Sequence, residues 1–332
     1  MFPATLTLSR NLALCSNPSD HLKFRSLLLI PQPRIAKIAL KENRLKISII
    51  GAGRVGQTLG HLARKRGHRI GEVVCRSQKS ARAAVKFIGA GTAQSVSRAQ
   101  LSPADVIMIS TPDDAVEEAV KLIAEQNANI KGTSVFHTSG AKSSSVLDAL
   151  SQTGMSAASC HPLQTFQSAA RAVTLISKTW FCIEGEPRAT RAARRLVRDI
   201  GARYFEIDTA MKSLYHAAAV MASGGVTALL SISLEMLERT GLSKSQAKKA
   251  LLPLTEATVA NVRDVGPALA LTGPVRRGDM GTVDLNMKAT GDLDSQWLEI
   301  YRLLALRSLA LANQAGADEQ AIARLHSLLK KR

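Results

Sequence analysis

The sequence predicts an α/β protein: a doubly wound, mostly parallel sheet over residues 45–208, then an all-helical domain over residues 209–332. Three observations predict it. Apolar strands alternate with helical periods from Leu45 to Ile207, and a glycine-rich turn joins the first strand to the first helix. After Thr209 the period is helical throughout, with no further clear strand. A chain of 332 residues is long enough for two such cores.

Residues 1–44 are expected to precede the fold as a disordered basic extension. Pro3, Pro18, Pro31 and Pro33 interrupt them and no period is sustained. The compact apolar stretch Leu27–Ile30 is shorter than the roughly 7–15 residues of a signal-peptide core. Leu12-Ala13-Leu14-Cys15 faintly resembles a lipoprotein box, but Leu precedes the Cys and no early basic cluster is present. A targeting leader and an upstream start site stay open beside the preferred reading.

Leu45–Ile50 reads as a buried strand running into Gly51-Ala52-Gly53-Arg54-Val55-Gly56, after which Val55, Leu59, Leu62 and Ala63 recur at helical spacing. Between a strand and a helix, G-x-G-x-x-G is the fingerprint of a Rossmann dinucleotide-binding unit. Gly51 permits the tight turn, Gly53 lets the backbone approach a pyrophosphate, and Gly56 lets helix and strand pack closely. The amides of Arg54 and Val55 open the helix whose N-terminus faces the phosphates. A glycine-rich turn without a ligand is the plainer alternative.

The next strand, Ile70–Cys75, ends in Arg76-Ser77, with Lys79 beyond. An NAD-binding unit places a carboxylate there for the ribose hydroxyls. A guanidinium and a hydroxyl suit a 2′-phosphate instead, so the expected cofactor is NADP(H). An Arg on an exposed turn is the alternative. Asp105–Ser110 is a third strand, and Thr111-Pro112 should lie beside the cofactor, with Asp113 capping the helix that follows.

Two later strands, Thr133–Phe136 and Ser156–Cys160, lead into His137-Thr-Ser139-Gly140 and His161-Pro-Leu-Gln164. His137, Ser139, Gly140, His161 and Gln164 are therefore candidate substrate contacts, with fixed loop hydrogen bonds as the other reading. No carboxylate or Cys is spaced to complete a metal site with the two histidines, and no metal is expected. Trp180–Glu184, a helix near residues 187–199 and Tyr204–Ile207 extend the domain.

One long helix is expected from about Thr209 to Arg239, with Ala217–Gly225 small enough for close packing. Ser243 should cap the next helix, and Pro253 should kink it. Lys212 and His216 share one helix face at i,i+4 and are the candidate proton donors, a surface Lys and a core His being the alternative. Arg276 and Arg277, in the segment Leu271–Asp279, could clamp a carboxylate or phosphate or brace the structure. Asp279 could cap the next helix.

Composition limits the function classes. Hydrophobic residues make up 45% and charged residues 21%, which suits a globular protein, and no apolar run approaches the roughly 20 residues of a membrane span, so no transmembrane helix is expected. Cys15, Cys75, Cys160 and Cys182 are scattered, as in a reducing, cytoplasmic compartment. Net charge is +18, and +13 without the first 44 residues, yet the basic residues are dispersed and only 4% are aromatic. That favours a solvated basic surface drawing anionic ligands over a nucleic-acid binder.

Taken together, Gly51–Gly56, His137–Gly140, His161-Pro-Leu-Gln-Thr-Phe166, Tyr215-His216-Ala-Ala-Ala219 and Leu271–Asp279 resemble the Rossmann-like proteins that carry a C-terminal DUF2520 domain. The order of motifs covers residues 45 to about 290. More distantly the chain is similar to β-hydroxyacid dehydrogenases and pyrroline-5-carboxylate reductase. That resemblance implies a helical domain like the C-terminal part of 6-phosphogluconate dehydrogenase, and a homodimer formed through it. It implies that Lys212 stands at the catalytic Lys position and Ser139 at a substrate-binding Ser. The chain departs from the pattern at His216, where those dehydrogenases have Asn, and at Ser223-Gly224-Gly225, where a DUF2520 Asn is missing. The expectation is an NADP(H)-dependent oxidoreductase acting on a small carbonyl, hydroxyacid or imine. A non-catalytic NADP(H) sensor or scaffold is the rival.

Overall fold

The computed structural model describes residues 44–126 and 132–330. The extension expected over residues 1–44 lies, up to residue 43, outside them. From Leu45 onward the chain clusters as one compact unit.

Eight strands form one sheet: β1 (Lys46–Ile50), β2 (Arg69–Cys75), β3 (Thr92–Ser95), β4 (Val106–Ile109), β5 (Ser134–His137), β6 (Ser156–Leu163), β7 (Trp180–Gly185) and β8 (Arg203–Glu206). Their order is β3-β2-β1-β4-β5-β6-β7-β8. Every neighbouring pair is parallel except β6 and β7. The chain reverses direction across the sheet between β3 and β4, which opens a crevice beyond the carboxyl ends of β1 and β4.

Side-chain alternation builds a core on each face. On one side Ile47, Ile49, Val106, Met108 and Phe136 pack with α1 (Arg54–Lys65), α2 (Gln78–Ile88) and α6 (Pro187–Asp199). On the other, Ile50, Ile107, Ile109 and Val135 pack with α3 (Val116–Ala124) and the short α4 (Asp148–Ser151). Strands covered on both faces read as mostly apolar runs; exceptions such as Ser48 and Glu72 are buried and bonded to each other at 2.7 Å.

The structure adds and corrects. Strand β3 carries no apolar pattern, because Thr92-Ala93-Gln94-Ser95 lies at the sheet edge with its first residue exposed. Strand β6 does not stop at Cys160: His161, Pro162 and Leu163 continue it, paired with Cys182, Phe181 and Trp180. Pro162 is tolerated because an antiparallel pair needs no amide from every residue. Asp113 makes no cap bond; it sits inside a 3₁₀ turn, Asp113–Ala115, that precedes α3.

The helical half starts with a turn at Thr209–Met211, capped by Asp208, and α7 (Lys212–Val220). A π-helical segment, Met221–Gly225, joins α7 to α8 (Val226–Arg239) without a break. The resulting helix, Thr209–Arg239, has 31 residues and a mean hydropathy of 1.7 in its most apolar window. It is long and apolar enough to cross a membrane by length and composition, against the sequence-based expectation that no such segment exists. A search for an unbroken apolar run passes over it because Ser, Gly and Thr punctuate its Ala, Val, Leu and Met residues.

Ser243 caps α9 (Lys244–Ala270) in a full capping box with Gln246. Pro253 does not break α9; the non-helical residue is Gly266, at φ 78°, just before Pro267. A residue before proline is pushed out of the α region, and glycine reaches positive φ at little steric cost. A small core of Val275, Val283, Leu309 and Leu325 joins α10 (Pro274–Arg277), α11 (Met280–Gly291), α12 (Ser295–Gln314) and α13 (Glu319–Lys330).

Candidate functional site

The glycine turn has the geometry its spacing requires. Gly51 sits at φ +82°, and a Cβ there would come within 2.5 Å of Thr111 Cγ2. Gly56 is pressed against Ser110, whose hydroxyl donates to Gly51 O at 2.5 Å. Above Gly53 lies open space, with no atom within 4 Å of a Cβ position. Helix α1 begins at Arg54 with no side-chain cap and no acidic residue in its first turn. Its first backbone bond is Gln57 N–H to Gly53 O, at 2.9 Å, so the amides of Arg54, Val55 and Gly56 have no partner within the helix. Thr111 Oγ1 is buried beside this turn without a partner among the described residues. These features fit a pyrophosphate with a hydroxyl donor close by.

Arg76 and Ser77 are exposed beyond β2. Ser77 caps α2, accepting from Ser80 N at 3.2 Å, and its hydroxyl meets that of Ser80 at 2.9 Å. A guanidinium and two hydroxyls therefore stand together at the edge of the crevice.

Strands β5 and β6 and helix α7 bring three histidines, His137, His161 and His216, toward one another. His137 is fully buried and spends both nitrogens on its own loop: Nδ1 accepts from Ser139 N at 3.2 Å, and Nε2 lies 3.0 Å from Ser143 O. Burial holds it at about 4, so it is neutral, with Nε2 as donor. Ser139 Oγ accepts from Lys142 N at 3.0 Å. Both residues fix their loop through these bonds, and the Ser139 hydroxyl still has its own proton to donate. Gly140 instead forms the meeting point, because a Cβ on it would lie 2.8 Å from His161 Nε2 and 2.9 Å from His216 Nδ1.

His161 Nδ1 lies 2.6 Å from Tyr215 Oη, and burial, reinforced by the positive charge of Lys212, pushes this imidazole down to about 3. His216 Nδ1 is buried with no partner among the described residues. A cavity of about 630 Å³ opens here, lined by His161, Gln164, Tyr215 and His216 and by Ala222, Ser223 and Gly224 of the π-helical segment. Gln164 is held by Thr165 N at 2.8 Å and faces Thr179 Oγ1. Arg54 Nη1 donates to Phe166 O at 3.3 Å, tying the end of the His161 segment to the dinucleotide turn.

Lys212 does not line this cavity. Only 1% of it is exposed, its ammonium donates to Ser159 Oγ at 2.6 Å, and it lies 5.4 Å from the centre of the Tyr215 ring. Burial lowers its pKa, opposed by the carboxylates of Glu184 and Asp113. Glu184 in turn accepts from Ser144 N, Ser144 Oγ and Thr209 Oγ1, fastening the β5 loop to the start of the helical half. Arg276 and Arg277 are elsewhere: they line a separate cavity with Gly316 and Asp318, and Arg276 donates to Ala315 O at 2.9 Å. Their segment is the short helix α10, not a loop, and Asp279 caps α11 through Thr282 N at 3.0 Å. Arg276 thus has a bracing bond, and both arginines line a cavity apart from the histidine cleft.

Sequence reasoning missed Tyr215, Ser159, Glu184 and Asp113. Tyr215 carried a signal, being next to His216 and one turn from Lys212. Ser159 and Glu184 carried none, since each is a polar residue inside a strand whose partner lies far along the chain. Among the described residues, no group of three or more His, Cys, Asp or Glu is placed to hold a metal ion.

Comparison with known proteins supports the domain order. A Rossmann-like domain model matches residues 31–162, and the model of a domain of unknown function, DUF2520, matches residues 179–308. The fold resembles that of protein TM1727 of Thermotoga maritima at 23% identity and TM-score 0.66, covering 81% of this chain and 98% of that one. It also resembles BF3122 of Bacteroides fragilis, assigned as an NADP oxidoreductase, at 23% identity and TM-score 0.64, covering 80% and 98%. A reductive aminase of Aspergillus terreus, solved with NADPH and ethyl-5-oxohexanoate, aligns at 15% identity and TM-score 0.51 over 87% and 93%. At these identities the likeness is one of fold. No curated protein matches the sequence.

Proposed function

We propose that this protein is an NADP(H)-dependent oxidoreductase acting on a small carbonyl, hydroxyacid or imine held in the cleft between His161 and His216. The observation that carries the proposal is the uncapped start of α1 over open Gly53, tied by Arg54 to the segment that bears His161. A dinucleotide seated on the first would reach toward the second. The fold shared with an NADPH-bound reductive aminase and with a protein assigned as an NADP oxidoreductase supports the same reading.

In this reading Gly53, Arg54, Val55 and Gly56 hold the pyrophosphate through backbone amides, Gly51 makes the turn with its own amide given to Val74 O, and Thr111 and Pro112 close the crevice. Arg76 and Ser77 meet the 2′-phosphate. When bound, the nicotinamide supplies or receives the hydride. Gly140, His161, Gln164 and His216 receive the substrate, and His216 is the first candidate for the proton. Lys212 sets the field from beneath Tyr215 without touching the cleft. A homodimer through α7–α9 belongs to the proposal, because Leu214, Met221, Val259 and Leu269 stand exposed there. Lys248, Lys249, Glu256, Arg263 and Asp264 are interspersed on α9, which suits a protein cover better than lipid.

The burial of Lys212 favours a second reading, a sensor that binds NADP(H) without turnover. Titration of NADPH and NADH, followed by a panel of keto acids and imines, separates the two. NADPH should bind at least tenfold more tightly than NADH, and Arg76→Asp should erase that preference. Tight NADPH binding with no oxidation by any substrate selects the sensor; equal affinity for both nucleotides removes NADP(H) preference altogether.

A further inference from the structure

We propose that Tyr215 is a positioning residue whose hydroxyl donates to His161 Nδ1, fixing the imidazole as its Nε2–H tautomer and aiming an N–H donor at a carbonyl oxygen or imine nitrogen in the cleft. This rests on the oxidoreductase reading for the identity of the ligand, but not for the tautomer.

The geometry leaves the ring two unequal nitrogens. Nδ1 is 2.6 Å from Tyr215 Oη. Nε2 makes no hydrogen bond among the described residues and lies against Gly140, on a residue that lines the cavity. A hydrogen bond 2.6 Å long between a hydroxyl and a ring nitrogen has one proton in it, so the question is who owns it. If the imidazole donated, the phenol proton would need another acceptor. The neighbour available is Cys182, paired with His161 across β6 and β7. Burial pushes the Cys182 thiol up to about 11 and also raises the phenol, so both keep their protons. A protonated thiol is a weak acceptor but a usable donor, whereas a neutral imidazole nitrogen is a strong acceptor. Cys182 makes no hydrogen bond with the phenol among the described residues, so the phenol proton goes to Nδ1. The proton on the ring then sits on Nε2, beside Gly140.

The ring orientation is also fixed mechanically. The Tyr215 ring packs edge-on against His161 at 5.7 Å and against Phe205 at 5.8 Å, with the Lys212 ammonium on its face. The same ammonium disfavours an imidazolium next door, so His161 works as a neutral donor, and its part is to polarise rather than to surrender a full charge. A neutral N–H selects ligands that present an acceptor, and it discriminates against a protonated amine at that place.

The test is long-range ¹H–¹⁵N correlation on full-length protein labelled in its histidines, at pH 7.5 without ligand, with the His161 signals assigned by their loss in His161→Gln. The expected wild-type spectrum shows a pyridine-type Nδ1 and a pyrrole-type Nε2. Tyr215→Phe keeps the ring packing and removes the hydroxyl, and it should draw the two shifts toward each other as the tautomers mix. A pyrrole-type Nδ1 in the wild type overturns the proposal, and so does an unchanged pattern in Tyr215→Phe. In turnover, the variant should lose at least tenfold in kcat with KM changed less than threefold. A protein that fails to bind NADPH but shows the locked tautomer refutes the oxidoreductase reading and leaves this one standing.

Discussion

The sheet and the first helices of the second half solve the same problem in opposite ways. In the sheet, Ile47, Val106, Met108 and Phe136 are wholly withdrawn from solvent, and both faces are covered by the chain's own helices. In α8 no residue is buried, and in α9 only Ala247 is. Met221 is 74% exposed and Leu254 64%. One region completes itself; the other presents apolar surface that the described residues do not cover. The difference teaches that the two regions carry separate tasks here: the sheet holds the crevice at Gly51–Gly56 in place, and the long helices bring one wall of the cleft to it.

The comparison can be broken most strongly in the sheet. Phe136→Ala removes a ring buried between β5 and α6 and should cost about 3–5 kcal/mol, read from urea unfolding. An effect of similar size comes from pH. His137 and His161 are held near about 4 and about 3 by burial, below the value of about 6.5 that they regain on unfolding. The unfolded chain therefore binds more protons in that window, and stability rises with pH across it. Stability is fully present above pH ~6.5 and is lost as the pH falls toward these folded-state values, by about 2 kcal/mol per histidine at pH 5.0, so unfolding there should show on the order of 4 kcal/mol less stability than at pH 7.5. Gly140→Ala strikes where the two regions meet, since its methyl would press on His161 from the sheet and His216 from the helix. Moving both rings should cost about 1–3 kcal/mol and at least tenfold in turnover. Leu254→Asp should have the least effect on the isolated fold, under about 0.5 kcal/mol, since an exposed position has little to lose. Its consequence should be in mass: light scattering should find half the wild-type value, with an unfolding midpoint that no longer depends on concentration.

The legibility of the molecule follows the same division. β1, β2, β4 and β7 could be read because strands buried on both faces are mostly apolar, and the glycine turn could be read because its spacing is written within six residues, although the contacts that demand Gly51 and Gly56 come from Thr111 and Ser110. The polar edge strand β3 could not, since pairing at an edge asks little of its side chains. His161 and His216 could be placed near a cleft from their position after a strand and early in a helix. What could not be read was which nitrogen was already spent: His137 looks as available in sequence as His161, and only the loop closing on Ser139 and Ser143 engages both of its nitrogens. Lys212 could be placed on the right helix but not at the right depth. Its partner Ser159 is 53 residues away, and no local pattern records a hydrogen bond of that span. The bond of Arg276 to Ala315 O, 39 residues on, was hidden for the same reason.

The π-helical segment at Met221–Gly225 has a consequence of its own. A π turn holds one more residue than the α turn it replaces, and one residue of an α-helix is about 100° of rotation. Deleting any single residue from Met-Ala-Ser-Gly-Gly would leave an ordinary helix of nearly the same length. Because the π turn absorbs its extra residue within that one turn, α7 and α8 would keep nearly their present faces, His216 and Tyr215 included. The extra residue is thus a local bulge: it shapes the Ala222-Ser223-Gly224 wall of the cleft, and a lineage that lost it would have to rebuild that wall while the two histidines stayed in place.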